Sequence, residues 1–367
     1  MKSACVVLRK NKSDFSDGYT VVLNAFYAVG YTFEEVRIFA QEDELLVSNG
    51  LSALIKTYDV VTFLVDKTFF SKAKKYMTSV FAEGIYQGGF NGAGIYEDKD
   101  KTLFLLSSDD SDTGAEYVKN TCVPYLNKKY GIRYDRAFIR AMGANEMLVE
   151  RLLSEAKVNT GELIEYHHVR RYDEDVIELS YDGKAPKMLV DDTLRLFADG
   201  LGESVYAFEN IKLEEQLVRL LKLRGKRISV AESFTGGGIG RRIVSVSGAS
   251  AVYFEGLNTY NERSKMKRLG VSEYTLKTLG AVSDQTAYEM AAGLIASGDC
   301  DVSIATTGLA GPKSDRSMLP VGLCYIAVGL RERVFVYRYR FDGTRENITE
   351  TAINYALFLA YMQLKNL

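Results

Sequence analysis

The sequence predicts an α/β protein built from three successive units: a parallel-sheet first unit, a small α+β middle unit and a second α/β unit. Three observations predict it. Short apolar, β-branched runs alternate with helical periodicity over the first third of the chain, which implies a parallel sheet covered by helices. The middle third changes to two adjacent strand patterns flanked by helical ones, and the last third carries glycine-rich turns between strand and helix patterns. At 367 residues the chain also exceeds one ordinary domain of about 100–200 residues.

In the first unit, Ala4–Leu8, Val36–Phe39, Val60–Val65 and Thr102–Leu106 read as strands, and Tyr19–Val29, Leu45–Tyr58 and Ser71–Ala82 as helices. The glycine-rich stretch Gly84–Gly94 reads as a loop: Gly92-Ala-Gly94 lacks the third glycine and the following helix of a dinucleotide fingerprint. In the middle unit Ala137–Leu153 reads as amphipathic helix, Leu163–Arg171 and Asp175–Tyr181 as strands, Met188–Phe197 as helix, and Gly200–Ser204 as an exit linker. The last unit begins with a helix over Leu213–Leu223 that stops at Gly225. Strands follow at Arg227–Ala231, Val252–Tyr260 and Val302–Thr306, with a helix through about Val246 after the first. A helix capped by Ser283 reaches Ala296, a hairpin joins Val321–Leu330 to Val334–Phe341, and Thr344–Leu364 is the closing helix. The predicted domains are 1–133, 134–206 and 207–367.

Composition narrows the chemistry. Hydrophobic residues make up 47% and charged residues 26%, as in globular proteins, and the net charge of −2 gives no general pull toward nucleic acid or acidic lipid. The first ten residues are a strand rather than a signal segment, and no apolar run approaches the ~20 residues of a membrane span, so a cytoplasmic protein is expected. Four cysteines at 5, 122, 300 and 324 match no metal spacing and read as buried thiols. The two histidines, His167 and His168, are neighbours that point to opposite faces of a strand. Any hydrolase here is expected to work without histidine, metal or cofactor.

Four segments of the last unit carry candidate chemistry. In Ala231-Glu-Ser-Phe-Thr-Gly-Gly-Gly238 a strand runs through a glycine turn into a helix. Ser233 and Thr235 place hydroxyls beside Gly236 and Gly237, where helical amides can meet an anion; simple strand–helix packing is the alternative. Tyr260-Asn-Glu-Arg-Ser-Lys265 leaves a strand: enclosed, Lys265 can act as a base with Tyr260 as relay, and on the surface it is only a solvated charge. Thr306-Thr-Gly-Leu-Ala-Gly-Pro312 puts Thr307, Gly308 and Gly311 at a strand end, where α/β proteins bind ligands, or forms an ordinary turn. Arg345 opens the last helix, suited either to a phosphate or to an ion pair.

Taken in order, AESFTGG, YFEGLNTYNERSKMKRLGV, GAVSDQTAYEMAAG, ATTGLAGP and FDGTRENITETAINYAL resemble the CinA C-terminal domain, the PncC type, over about 155 residues. The resemblance implies hydrolysis of nicotinamide mononucleotide to nicotinic acid mononucleotide and ammonia in pyridine nucleotide salvage. Ser233, Tyr260, Lys265 and Thr307 match the catalytic motif positions, and Thr235, Gly236, Gly237, Gly308, Gly311 and Arg345 are the candidate substrate or phosphate contacts beside them. It further implies a molybdopterin-binding-like first domain, a KH-like connector and a homo-oligomer. No GXXG loop supports nucleic-acid binding by that connector. Phe234 stands where the motif has cysteine, the loop Lys313–Met318 lacks two glycines, and Thr349 replaces a basic residue. Arg316 or Lys313 are available to compensate. In the first domain, Val65–Phe70 and Leu105–Asp110 have lost the glycines and prolines of the family's phosphate loops, so no pyrophosphatase activity is expected there. The acidic Asp109, Asp110 and Asp112 read as a solvated loop or a cation site. Two other functions stay open: a non-catalytic scaffold or regulator linked to competence or DNA damage, and an amidase for a different carboxamide. The nucleophile is Ser233 or a water activated by the same groups.

Overall fold

The structure is a computed structural model and describes residues 1–11, 18–80, 85–88, 93–108, 111–131, 134–312 and 318–367. By contact density the chain divides into Met1–Arg136 with Ser180–Pro186, and Ala137–Leu179 with Lys187–Leu367.

The first unit holds β1 (Ser3–Arg9), α1 (Gly18–Tyr27), β2 (Glu35–Ala40), α2 (Glu44–Thr57), β3 (Val60–Val65), α3 (Phe70–Val80), β4 (Ile85–Gly88), β5 (Gly94–Asp98), β6 (Lys101–Ser107), α4 (Ser111–Tyr117) and α5 (Val123–Tyr130). Its sheet order is β2-β1-β3-β6-β5-β4. The four strands read from apolar runs pair in parallel, as expected of an α/β unit. Successive residues of β1 feed opposite faces: Val6 and Leu8 join a core with Leu51 and Phe63, while Cys5 and Val7 join one with Phe26 and Phe104. The stretch expected to be a loop departs from expectation at both ends. Ile85–Gly88 is strand, and Gly94 begins another; they pair with each other antiparallel and close the sheet on β6. Alternation was hidden there because glycines occupy positions that strand patterns usually give to side chains. Residues 89–92, 109–110 and 313–317 lie outside the described residues, and with them part of that stretch, Asp109, Asp110, Lys313 and Arg316.

Next come β7 (Tyr134–Met142), α6 (Glu146–Thr160), β8 (Ile164–Arg171), β9 (Glu174–Asp182), α7 (Lys187–Leu201) and β10 (Val205–Ala207), with the sheet order β10-β7-β9-β8. The helix expected over Ala137–Leu153 is instead the end of β7 followed by the start of α6. Gly143, at φ 66°, breaks the chain between them, and the Asn145 side chain caps α6 by accepting from the Leu148 amide at 3.2 Å. The expected linker at Gly200–Ser204 is the end of α7 and a single tight turn into β10.

The last elements are α8 (Leu213–Arg224), β11 (Ile228–Glu232), α9 (Gly238–Val244), β12 (Tyr253–Asn258), α10 (Glu262–Leu269), α11 (Glu273–Thr278), α12 (Asp284–Ala296), β13 (Val302–Gly308), β14 (Leu323–Leu330), β15 (Arg333–Arg340) and α13 (Arg345–Lys365). Their sheet runs β12-β11-β13-β14-β15, with β11 parallel to both neighbours and a β14–β15 hairpin added antiparallel. One face packs Val230, Ile304 and Val328 on Leu217, Leu221 and Leu357 of α8 and α13. The other packs Ala231, Ala305 and Ala327 on Met290 and Leu294 of α12. Small residues on that second face let α12 lie close to the sheet. Each fully buried Leu or Met contributes about 1.5–3 kcal/mol, so these two layers hold the strand ends in fixed register. All four cysteines are free and buried, as read from the sequence. Among the described residues no helix is long and apolar enough to cross a membrane.

Candidate active site

The carboxyl ends of β12, β11 and β13 lie side by side. Glu232 pairs with Asn258 on one side and Thr306 on the other. Ser233, Thr259 and Thr307 are the next residues on each chain, so with strands about 4.8 Å apart three separate sequence motifs meet at one edge.

Lys265 is the centre of that edge. Asn261 caps α10 by accepting from the Arg263 amide at 2.9 Å, and the first turn of this helix carries Lys265 back over the strand ends. The side chain is 1% exposed, one of the largest fully buried side chains described. Its Nζ lies 3.0 Å from Ser233 Oγ, 2.6 Å from the Thr259 carbonyl and 3.4 Å from the Tyr260 carbonyl. Burial brings its pKa down to about 8, against a smaller upward pull from Glu262. Of the two sequence readings of this lysine, the solvated surface charge does not describe it. Tyr260 itself gives only its carbonyl: the ring is 69% exposed and the phenol has no partner among the described residues.

The glycine turn is organised by a residue that sequence reasoning passed over. Glu232 is buried, and its carboxylate accepts from the amides of Gly237, Ile239 and Gly240 at 3.0, 3.1 and 2.9 Å. These are the α9 amides expected to meet a ligand, and an internal anion already holds them. Gly237 sits at φ 96° with the Asn258 side chain 3.1 Å from where a Cβ would be, so only glycine fits. The Gly236 amide donates to the Ser233 carbonyl and the Gly238 amide to the Thr235 carbonyl. The amides of Phe234 and Thr235 are used by none of these turns or caps. The signal that could have found Glu232 was its place next to Ser233, as the last residue of β11 and four positions before a run of glycine amides.

The remaining candidates divide. Thr235 Oγ1 is buried and bonds Thr306 Oγ1 at 2.8 Å, which ties the turn to β13. Thr307 Oγ1 donates to the Ala281 carbonyl at 2.6 Å, so its proton anchors the segment leading to the Ser283 cap. Gly308 faces β14, where a Cβ would meet Cys324 Cβ at 2.5 Å; its smallness serves sheet packing. Gly311, at φ 79°, turns its carbonyl toward Arg345, whose Nη1 donates to it at 2.7 Å. The exposed Arg345 has no carboxylate partner among the described residues. Phe234 packs with Ala310, Cys324, Phe341, Ile348 and Ala352 beneath the turn. Among the described residues no group of three or more His, Cys, Asp or Glu could hold a metal ion.

With this geometry in view, residues 210–364 match the family model for the CinA C-terminal domain. A Caldicellulosiruptor saccharolyticus protein described as competence-damage inducible is 38% identical over 244 residues, 66% of this chain and 58% of that protein. A CinA-like protein of Endomicrobium trichonymphae is 32% identical over 274 residues, 72% of this chain and 63% of that one. The crystal structure of a competence/damage inducible protein from Agrobacterium tumefaciens is 35% identical, covering 42% of this chain and 93% of the other at a TM-score of 0.40. The matched stretch spans about three fifths of the curated relatives' own length. The chain belongs to the CinA family, with the CinA C-terminal domain at residues 210–364.

Proposed function

We propose that the C-terminal domain is an amidohydrolase that converts nicotinamide mononucleotide to nicotinic acid mononucleotide and ammonia, and that the first domain is catalytically silent. The observation that carries this reading is the buried Lys265 amine 3.0 Å from the Ser233 hydroxyl, with a pKa of about 8. A neutral amine has two N–H donors and one lone pair. The Thr259 and Tyr260 carbonyls can only accept, so they take the two hydrogens and the lone pair faces Ser233. That is the arrangement a serine nucleophile needs when histidine is absent.

Ser233 Oγ attacks the carboxamide carbon while Lys265 Nζ takes its proton. The tetrahedral oxyanion is held by the amides of Phe234 and Thr235, which take part in no turn or cap bond among the described residues. The Lys265 ammonium then returns the proton to the departing nitrogen, which leaves as ammonia, and an ester remains on Ser233. Water, deprotonated by the same amine, cleaves the ester to the carboxylate product. The exposed Tyr260 contributes its carbonyl, which holds the Lys265 amine. Thr307 positions the neighbouring segment through Ala281. Because Glu232 occupies the α9 amides, the substrate phosphate falls to Arg345, whose guanidinium has no further partner than the Gly311 carbonyl among the described residues. Ammonia release from a panel of carboxamides tests the substrate. Nicotinamide mononucleotide should far exceed nicotinamide riboside, which lacks only the phosphate; equal rates would remove the phosphate role of Arg345, and no release from any member would leave a non-catalytic protein.

A further inference from the structure

The turn between β8 and β9 is two residues long, Tyr172-Asp173, and both sit at positive φ, 53° and 58°. This is the sign pattern of the type I′ hairpin turn, which favours Asn-Gly. A tyrosine and an aspartate rarely hold these angles. Within the hairpin they meet only the neighbouring arginines, Arg171 donating to the Tyr172 hydroxyl at 2.9 Å and Arg170 to Asp173 at 3.4 Å, and their other contacts reach outside it. The Tyr172 carbonyl accepts from Asn354 Nδ2 at 2.9 Å, and its hydroxyl donates to Glu346 Oε1 at 3.0 Å. The Tyr355 hydroxyl donates to Asp173 Oδ2 at 3.5 Å, and the Gly143 amide to the Asp173 carbonyl at 2.8 Å. Three of these four partners lie on α13.

Two routes lead from there to the Ser233 edge. Glu346 is next to Arg345, which grips the Gly311 carbonyl at 2.7 Å. Tyr355 packs on Tyr339 and Phe341, with ring centroids 4.6 and 5.1 Å away. Those rings belong to the same cluster as Phe234 and Ala310, and Phe234 directly follows the Ser233 nucleophile. A third contact adds to these: a Cβ on Gly238 would meet Ile353 of α13 at 2.3 Å, so α13 and the glycine turn are in close approach.

We propose that Tyr172 and Asp173 are positioning residues for the Ser233–Lys265 site, acting through the first turns of α13; the kinetic arm of this proposal rests on the amidohydrolase reading above. The hairpin of the middle unit thus sets the aim of the Arg345 guanidinium and the seat of Phe234 without touching substrate.

The test replaces the turn with its favoured chemistry, Tyr172→Asn with Asp173→Gly. This keeps the hairpin backbone and deletes the side-chain contacts to α13. Turnover of nicotinamide mononucleotide should fall by about threefold to thirtyfold, because small misplacements of a reacting geometry are costly. Amide exchange at 306–312 and 345–349 should speed up while that of α6 and α7 stays fixed. Tyr172→Phe, which keeps the ring and loses the hydroxyl's contacts with Glu346 and Arg171, should lower turnover by a smaller factor of about twofold to threefold and speed exchange at 345–349, and it serves as the test if the double variant does not fold. Unchanged exchange at both segments, with turnover and KM within twofold, overturns the proposal. If the wild type releases no ammonia, the amidohydrolase reading fails, and the exchange result alone decides whether the hairpin positions the site.

Discussion

Replacing Lys265 by Met removes an amine that burial holds at about 8, against 10.5 in an unfolded chain. That gap corresponds to about 3 kcal/mol. The direction follows from proton counts. Below pH 8 both states are protonated, and the folded state carries the full cost of a buried charge. Between pH 8 and 10.5 the folded lysine is neutral while the unfolded one is still charged, so stability rises with pH across this window and levels off above it. Met abolishes that dependence. It also strips the donors from the Thr259 and Tyr260 carbonyls, a loss of about 1–2 kcal/mol. The variant should therefore be more stable than wild type by about 1–2 kcal/mol at pH 7 and less stable by a similar amount near pH 10.5. Guanidinium titrations of both proteins across this range, followed by far-UV circular dichroism, measure the difference. Other groups that titrate there, such as Cys324 and Tyr339, both pushed up to about 12 by burial, are common to both proteins and cancel. A difference that stays constant within about 1 kcal/mol from pH 7 to 10.5 would refute a buried amine of depressed pKa.

Further outcomes follow from the same geometry. The acid limb of kcat/KM for ammonia release should show an apparent pKa near 8, since only neutral Lys265 accepts the serine proton; a rate flat from pH 6 to 9 speaks against it. Glu232→Ala leaves the Gly237, Ile239 and Gly240 amides without their acceptor and should destabilise the domain by about 3 kcal/mol, with Glu232→Gln intermediate, read by denaturant midpoint. The full chain with ADP-ribose and a divalent metal should release no phosphate-containing product, and robust hydrolysis would show that the first domain is active.

What the sequence disclosed and what it hid divide along physical lines. The three strand-end motifs were legible because each combines glycines with hydroxyl or cationic residues, and a parallel sheet brings such ends together. The exposure of Lys265 was not legible: a lysine at that spacing is usually solvated, and only the path of α10 over β11 and β12 encloses it. Glu232 was missed because a strand-final acid reads as surface, whereas here α9 aims three amides at it. In the fold, β7 was mistaken for helix because the apolar residues around Ile139 and Met142 also fit a helical spacing; Gly143 and Asn145 were the break and cap that separated the two elements. The docking of Tyr172 and Asp173 on α13 joins residues more than a hundred and seventy positions apart, and no local pattern encodes such a contact.

The most direct measurement is ammonia release from nicotinamide mononucleotide by wild type and by Ser233→Ala, each checked for an intact fold. With Ser233 as nucleophile and Lys265 as its base, the substitution should lower kcat by roughly 10²–10⁴. A Ser233→Ala protein that retains near-full turnover would contradict the covalent route, and if Lys265→Met retained it too, the chemistry would belong elsewhere in the chain.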